Sequence, residues 1–185
     1  MTEPVRQFAW SNMFVTPEDD PRSEGGFVGE RATLVGYLRD YRLTLEMKCA
    51  GLDAQELARR SVPPSTMSLL GIVRHMARVE RVWFRRIHAG LHVPDLFRTP
   101  ERRDADWDGA VGDPAVVEEA FRLWREEIAF AEKYVEGVED LGAMSATGDD
   151  PISLRELLLH MVEEYARHCG HADLLRECVD GRVGQ

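Results

Sequence analysis

Between Ser153 and Gly181 the chain has no proline, and apolar residues return every third or fourth place: Leu157, Met161, Tyr165, Ala172 and Leu175, with His168 among them. That spacing predicts one long amphipathic helix. Ser153 and Glu156 form the S-x-x-E signature of a capped start, and Gly181 follows the end. Three more stretches repeat the pattern. Leu34, Tyr37, Leu38, Tyr41, Leu45 and Cys49 mark a helix over 30–50, stopped by Gly51. Leu69, Ile72, Val73, Met76, Val79 and Trp83 mark another over 68–89, before Gly90. Asp113 as cap and Pro114 at the first helical position open a third, which carries Val117, Phe121, Trp124, Ile128, Ala131 and Val135 and stops at Gly137. Asp53 caps a short helix over 53–60, ended by Pro63 and Pro64. No segment reads as a strand. The expectation is an all-α domain, most simply a four-helix bundle.

Two segments fall outside the pattern. Residues 91–112 hold Pro94, Pro100, Gly109 and Gly112 and make a long connection. Such a crossover lets the helix after it run parallel to the helix before it. Residues 1–29 are broken by Pro4, Pro17, Pro21 and Gly25-Gly26, and carry Phe8, Trp10, Phe14 and Phe27. They read as an irregular arm packed on a single domain spanning 30–185.

The formal net charge of −10 argues against a nucleic-acid partner, which calls for a basic face. No apolar run approaches the ~20 residues of a membrane span. The start, Met1-Thr-Glu-Pro-Val-Arg-Gln-Phe, lacks a basic region followed by an apolar one, so the expected location is the cytoplasm. Cys49, Cys169 and Cys178 are too scattered for a disulfide framework and read as reduced.

The chemistry gathers on the last helix. Glu164 and His168 stand four apart and so share a face. On a wheel of 100° per residue His168 lies about 20° from Met161 and Glu164 about 60°, whereas His171 and His160 lie at about 80° and 100°, nearer the solvent edge. A carboxylate close to a core is costly unless it is paired or holds a cation. His75, on the flank of the second long helix, could add a third donor. One carboxylate and two imidazoles leave coordination positions open, as catalytic metal sites do. A blander arrangement uses the same residues: Glu164 pairs with His75 or with an arginine such as Arg167, and the bundle is purely structural. His88 and His92 flank Gly90 and read as a solvated turn. Arg74, Arg78 and Arg167 either attract an acidic substrate or, more simply, solvate the helices. No glycine-rich phosphate loop, G-x-S-x-G elbow or H-E-x-x-H is present.

Two motifs carry a resemblance: Ser68-Leu-Leu-Gly-Ile-Val-Arg-His75-Met-Ala-Arg-Val-Glu80-Arg-Val-Trp83, and Glu163-Glu164-Tyr-Ala-Arg-His168-Cys-Gly-His171-Ala-Asp-Leu-Leu-Arg176-Glu177. From about residue 30 to 180 the chain resembles the DinB/YfiT-like metalloprotein superfamily, which includes mycothiol-dependent maleylpyruvate isomerase and bacillithiol transferases. The second motif is similar to an actinobacterial branch of it. The resemblance implies a four-helix bundle with its long crossover between helices two and three. It implies a divalent metal on His75, Glu164 and His168, zinc first, with nickel, manganese or iron behind it. It implies a low-molecular-weight thiol of the mycothiol type added to a small-molecule electrophile, and self-association as a homodimer. The superfamily's middle donor is commonly histidine. Glu164 there resembles the maleylpyruvate isomerase version. His171 and Tyr165 are the expected aids to proton transfer. The alternative of another kind is a non-catalytic, stress-linked metal-binding or interaction module.

Overall fold

The computed structural model describes residues 14–22, 25–148 and 150–183. The expected packing of Phe8 and Trp10 lies outside the described residues. Within them the protein is all-α, with helices α1 (Glu30–Cys49), α2 (Ala54–Ala58), α3 (Leu69–Glu80), α4 (Ala105–Asp108), α5 (Pro114–Gly137) and α6 (Leu154–Asp180). The ends follow local chemistry. Ser68, Asp113 and Ser153 each accept a hydrogen bond from a first-turn N–H of the helix they precede. At α2 the exchange is reciprocal: Asp53 accepts from the Glu56 N–H, and the Glu56 carboxylate accepts from the Asp53 N–H. Gly181 ends α6 at φ 84°, a left-handed conformation that needs no Cβ to be accommodated.

Beyond Glu80 the second long helix does not stop but widens into π-helical turns over Arg81–His88. The N–H of Ala89 reaches back five residues to the Phe84 carbonyl at 3.0 Å. A reading based on a 3.6-residue period treats every turn alike and does not register this change.

The four long helices share one core. Leu45 of α1, Leu70, Ile72 and Met76 of α3, Trp124 and Ala131 of α5, and Leu157, Met161 and Ala172 of α6 are all buried in it. At about 1.5–3 kcal/mol for each large apolar side chain, this burial is what holds helices that would be marginal alone. Contacts between helices fix their directions. Cys169 Sγ donates to the Tyr41 carbonyl and Lys48 pairs with Asp173, so numbers rise together and α6 runs parallel to α1. Arg81 pairs with Glu127 and His88 lies 2.7 Å from the Tyr134 hydroxyl, so α5 runs parallel to α3. Glu80 meets Tyr165, and Trp83 meets His160, so α3 and α6 are antiparallel. The parallel α3–α5 pair is what a long crossover permits. That crossover contains the one-turn α4, which the sequence pattern did not reveal.

The described part of the arm touches the body at Phe14, whose ring lies 4.1 Å from Lys48 Nζ, and at Phe27, whose ring meets Tyr37. Arg176, part of the second motif, is buried and donates to the Lys48 and Ala50 carbonyls at the end of α1. His88 differs from expectation. It is 2% exposed, with Nδ1 against Tyr134 and Nε2 3.2 Å from the Ala143 carbonyl. Residues 146 and 147 bond to the His88 and Ile87 carbonyls and cover the turn that was expected to face water. Burial lowers the pKa of His88 and favours its neutral ring. His92 is exposed, as expected of a turn residue.

Candidate metal centre

Two polar layers lie between α3 and α6, one facing the core and one facing outward. The inner one is closed. Arg42 of α1 grips Glu80 through two hydrogen bonds of 2.8 Å. The Tyr165 hydroxyl donates to Glu80 at 2.7 Å and accepts from Trp124 Nε1 at 2.8 Å. Glu80 and Tyr165 are 0% exposed. Burial, then the neighbouring Glu80 charge, pushes the Tyr165 hydroxyl well above its usual pKa. Tyr165 therefore faces the core, about 100° around the helix from Glu164, and is committed to Glu80 and Trp124.

The outer layer is open. His75, Glu164 and His168 each offer a donor atom, and those atoms all lie within 4.8 Å of one another. Helix pitch brings Glu164 and His168 together, and the antiparallel α3 lays His75 beside them, with 4.9 Å between the His75 and His168 rings. All three are half-buried, with side chains 16%, 29% and 12% exposed in that order. Burial first, then the nearby His75, His171 and Arg167, pushes the His168 pKa down to about 4, so its ring is a neutral donor at pH 7. The two oxygens of Glu164 are shared between histidines. Oε1 lies 3.6 Å from His160 Nε2 and Oε2 lies 3.8 Å from His168 Nε2. Both gaps are too long for hydrogen bonds.

His171 stands against His168 with ring centres 5.4 Å apart. His160 is also near the cluster, its ring tilted against Trp83 with ring centres 4.4 Å apart and its side chain about as exposed as that of Glu164. The wheel put His160 nearer solvent, and its side chain is 30% exposed against 12% for His168, although its Nε2 comes within 3.6 Å of Glu164. His160 Nε2, His168 Nδ1 and His171 Nδ1 are buried and have no hydrogen-bond partner among the described residues. Buried polar atoms are normally satisfied, so three orphaned nitrogens along one ribbon call for a ligand. Two imidazoles and a carboxylate are a donor set that suits zinc and its neighbours.

Three features were missed by sequence reasoning. The first is Asp106 of α4, which is 0% exposed and lies 2.9 Å from His75 Nδ1. Burial alone would raise its pKa, but the bonds from His75 and Arg98 outweigh that and hold it at about 2. The second is Trp107, whose indole stacks on His75 with ring centres 4.7 Å apart. Gly71 makes room for it, since a Cβ there would come within 3.0 Å of the indole. The third is the role of Arg74 and Arg78. They neither solvate α3 nor stand free for a substrate. Arg74 is buried, donates to the Ala105 and Asp106 carbonyls and lies over Phe97; Arg78 pairs with Asp95. They pin the crossover to the helix. Arg167 is exposed, and His75 is paired with Asp106 rather than with Glu164.

A cavity of about 660 Å³ opens elsewhere, between α1 and α5, above Phe84 and Leu158, and contains none of the candidate site residues. Cys49 and Cys169 are free and buried, with thiols pushed up to about 12 by desolvation, and Cys178 is free and exposed.

Four long helices with a His₂Glu donor set between the second and the last define an all-helical protein with a candidate metal centre. The chain belongs to the mycothiol S-transferase family, whose model matches residues 33–181. The match covers α2 to α6 and most of α1, and so both motifs. It supports a mycothiol S-transferase-like function with the thiol as substrate. No curated protein and no solved structure matches the chain. Among the described residues no helix is long and apolar enough to cross a membrane.

Proposed function

We propose that this protein is a divalent-metal-dependent thiol S-transferase that joins a mycothiol-type thiol to a small electrophile. The observation that carries the reading is the convergence of His75, Glu164 and His168 within 4.8 Å, in a chain of the mycothiol S-transferase family. A divalent cation, zinc first, would be held by those three side chains, and when bound it supplies the positive charge that keeps a thiol ionised near neutral pH. In the overall reaction the thiol gives up its proton and its sulfur forms a bond to an electrophilic carbon as the bond from that carbon to its leaving group breaks. The products are the thioether, the leaving group with the bonding electron pair, and a proton.

The chain's own groups divide the remaining work. His171 has a buried nitrogen without a partner next to His168 and is the proposed acceptor of the thiol proton. Trp83 and Trp107 flank the cluster and exclude water. Tyr165 is read as a tie between α6 and α3 through Glu80, because its hydroxyl is already engaged on both sides. Residues 30–185 act as one domain in the cytoplasm, and the working form is a homodimer.

The test is product formation from mycothiol and a fluorogenic alkylating electrophile by zinc-loaded protein. Turnover is expected in the wild type, lost in His168→Ala and reduced about 10²-fold in His171→Ala. Zinc binding without product for any electrophile tried would leave a metal-binding module without S-transferase activity.

A further inference from the structure

Asp106 belongs to the crossover, not to a helix that offers a donor, yet it governs one. Its Oδ1 accepts from Arg98 Nε at 2.8 Å, and its Oδ2 accepts from Arg98 Nη2 at 2.8 Å. The same Oδ2 lies 2.9 Å from His75 Nδ1. A carboxylate gripped by a guanidinium is ionised and can only accept. His75 Nδ1 therefore carries the proton of the neutral ring, and Nε2 keeps a bare lone pair. Trp107, the next residue, stacks on the same ring and fixes its plane. Arg74 holds the carbonyls of Ala105 and Asp106, so the carboxylate cannot drift from α3.

We infer that Asp106 is the positioning residue of the centre: it sets the tautomer and orientation of His75 so that Nε2 is the nitrogen offered to a metal, and Arg98 keeps it in the accepting state. The inference rests on the metal reading above. It makes the crossover part of the metal site although the crossover supplies no donor. A histidine free to take the other tautomer would present an N–H to the cation for part of the time. Partners of this outer kind contribute about 10–100-fold to metal affinity. If Asp106 served only to dock α4, its loss would lower stability and leave the tautomer and the affinity of folded molecules unchanged.

Two measurements separate these cases. The first is nitrogen-15 NMR of the histidine side chains in metal-free wild type, with the ring neutral and His75 assigned by its loss in His75→Gln. A protonated Nδ1 and bare Nε2 are expected. The opposite tautomer would overturn the inference whether or not metal binds. The second is competition titration of zinc into wild type, Asp106→Asn and Asp108→Asn. Asp108 is an exposed neighbour paired with Arg60 and serves as the control. Asp106→Asn should bind zinc 10–100-fold more weakly and Asp108→Asn within about twofold of wild type. Equal affinity for wild type and Asp106→Asn would overturn this inference alone. No zinc on wild type would overturn the metal reading, and this inference with it.

Discussion

Tyr165 and Glu164 are neighbours in sequence and opposites in surroundings. Tyr165 enters a layer in which Arg42, Glu80, Tyr165 and Trp124 bond to one another. Glu164 enters a layer in which its oxygens meet two histidines at distances too long to bond and three imidazole nitrogens have no partner among the described residues. Both layers join α3 to α6, and both contain a carboxylate. The difference shows what each is for. A buried polar network that satisfies itself has nothing left to offer a ligand and serves to specify packing. A half-buried cluster that leaves donors idle is costly to the fold unless something fills it.

The largest effect should come from breaking the closed layer. Glu80→Ala leaves the Arg42 guanidinium buried without its partner and should lower stability by about 3–5 kcal/mol in denaturant unfolding. A loss below about 1 kcal/mol would mean that Arg42 reaches water easily and the layer is not closed. The open layer should show itself next, through pH. His168 has a folded pKa of about 4, below the ordinary histidine value near 6.5. Above that ordinary value folded and unfolded chains are alike in carrying a neutral ring. As pH falls toward 4 the unfolded chain takes up the proton first, so the metal-free protein should lose stability, on the order of 2 kcal/mol from this residue. His168→Gln should flatten that acid limb. An unchanged limb would place the titration elsewhere, with His88, also lowered by burial, the next to examine. The smallest effect belongs to Tyr165→Phe, which removes one hydroxyl between Glu80 and Trp124 and should cost about 1–2 kcal/mol. Zinc affinity should stay within about twofold. A large loss of zinc affinity in Tyr165→Phe would join the two layers into one site and remove the distinction drawn here.

The helices were legible because each carries its own signal. The apolar spacing from Leu157 to Leu175 and the caps Ser68, Asp53, Asp113 and Ser153 are local chemistry, and the helix ends fall where they point. His75, Glu164 and His168 were legible for the same reason, since helix pitch alone puts two of them on one face. Asp106 and Trp107 were not, because the crossover has no period and only its docking onto α3 brings them to His75. Burial of His88 likewise depends on a distant segment, residues 143–147. One signal was present and unused: Arg42 stands between Leu38 and Leu45, and Glu80 between Met76 and Trp83, each a charge on an apolar stripe. Two opposite charges so placed on neighbouring helices announce a buried pair.

Metal content tests the central claim most directly. Protein purified without an affinity tag, together with its His168→Ala variant, would be assayed by elemental mass spectrometry before and after zinc reconstitution. The account predicts close to one equivalent in the wild type and essentially none in the variant, with the helical circular dichroism of the two alike. No metal on the wild type even after reconstitution, or equal metal on the variant, would contradict it.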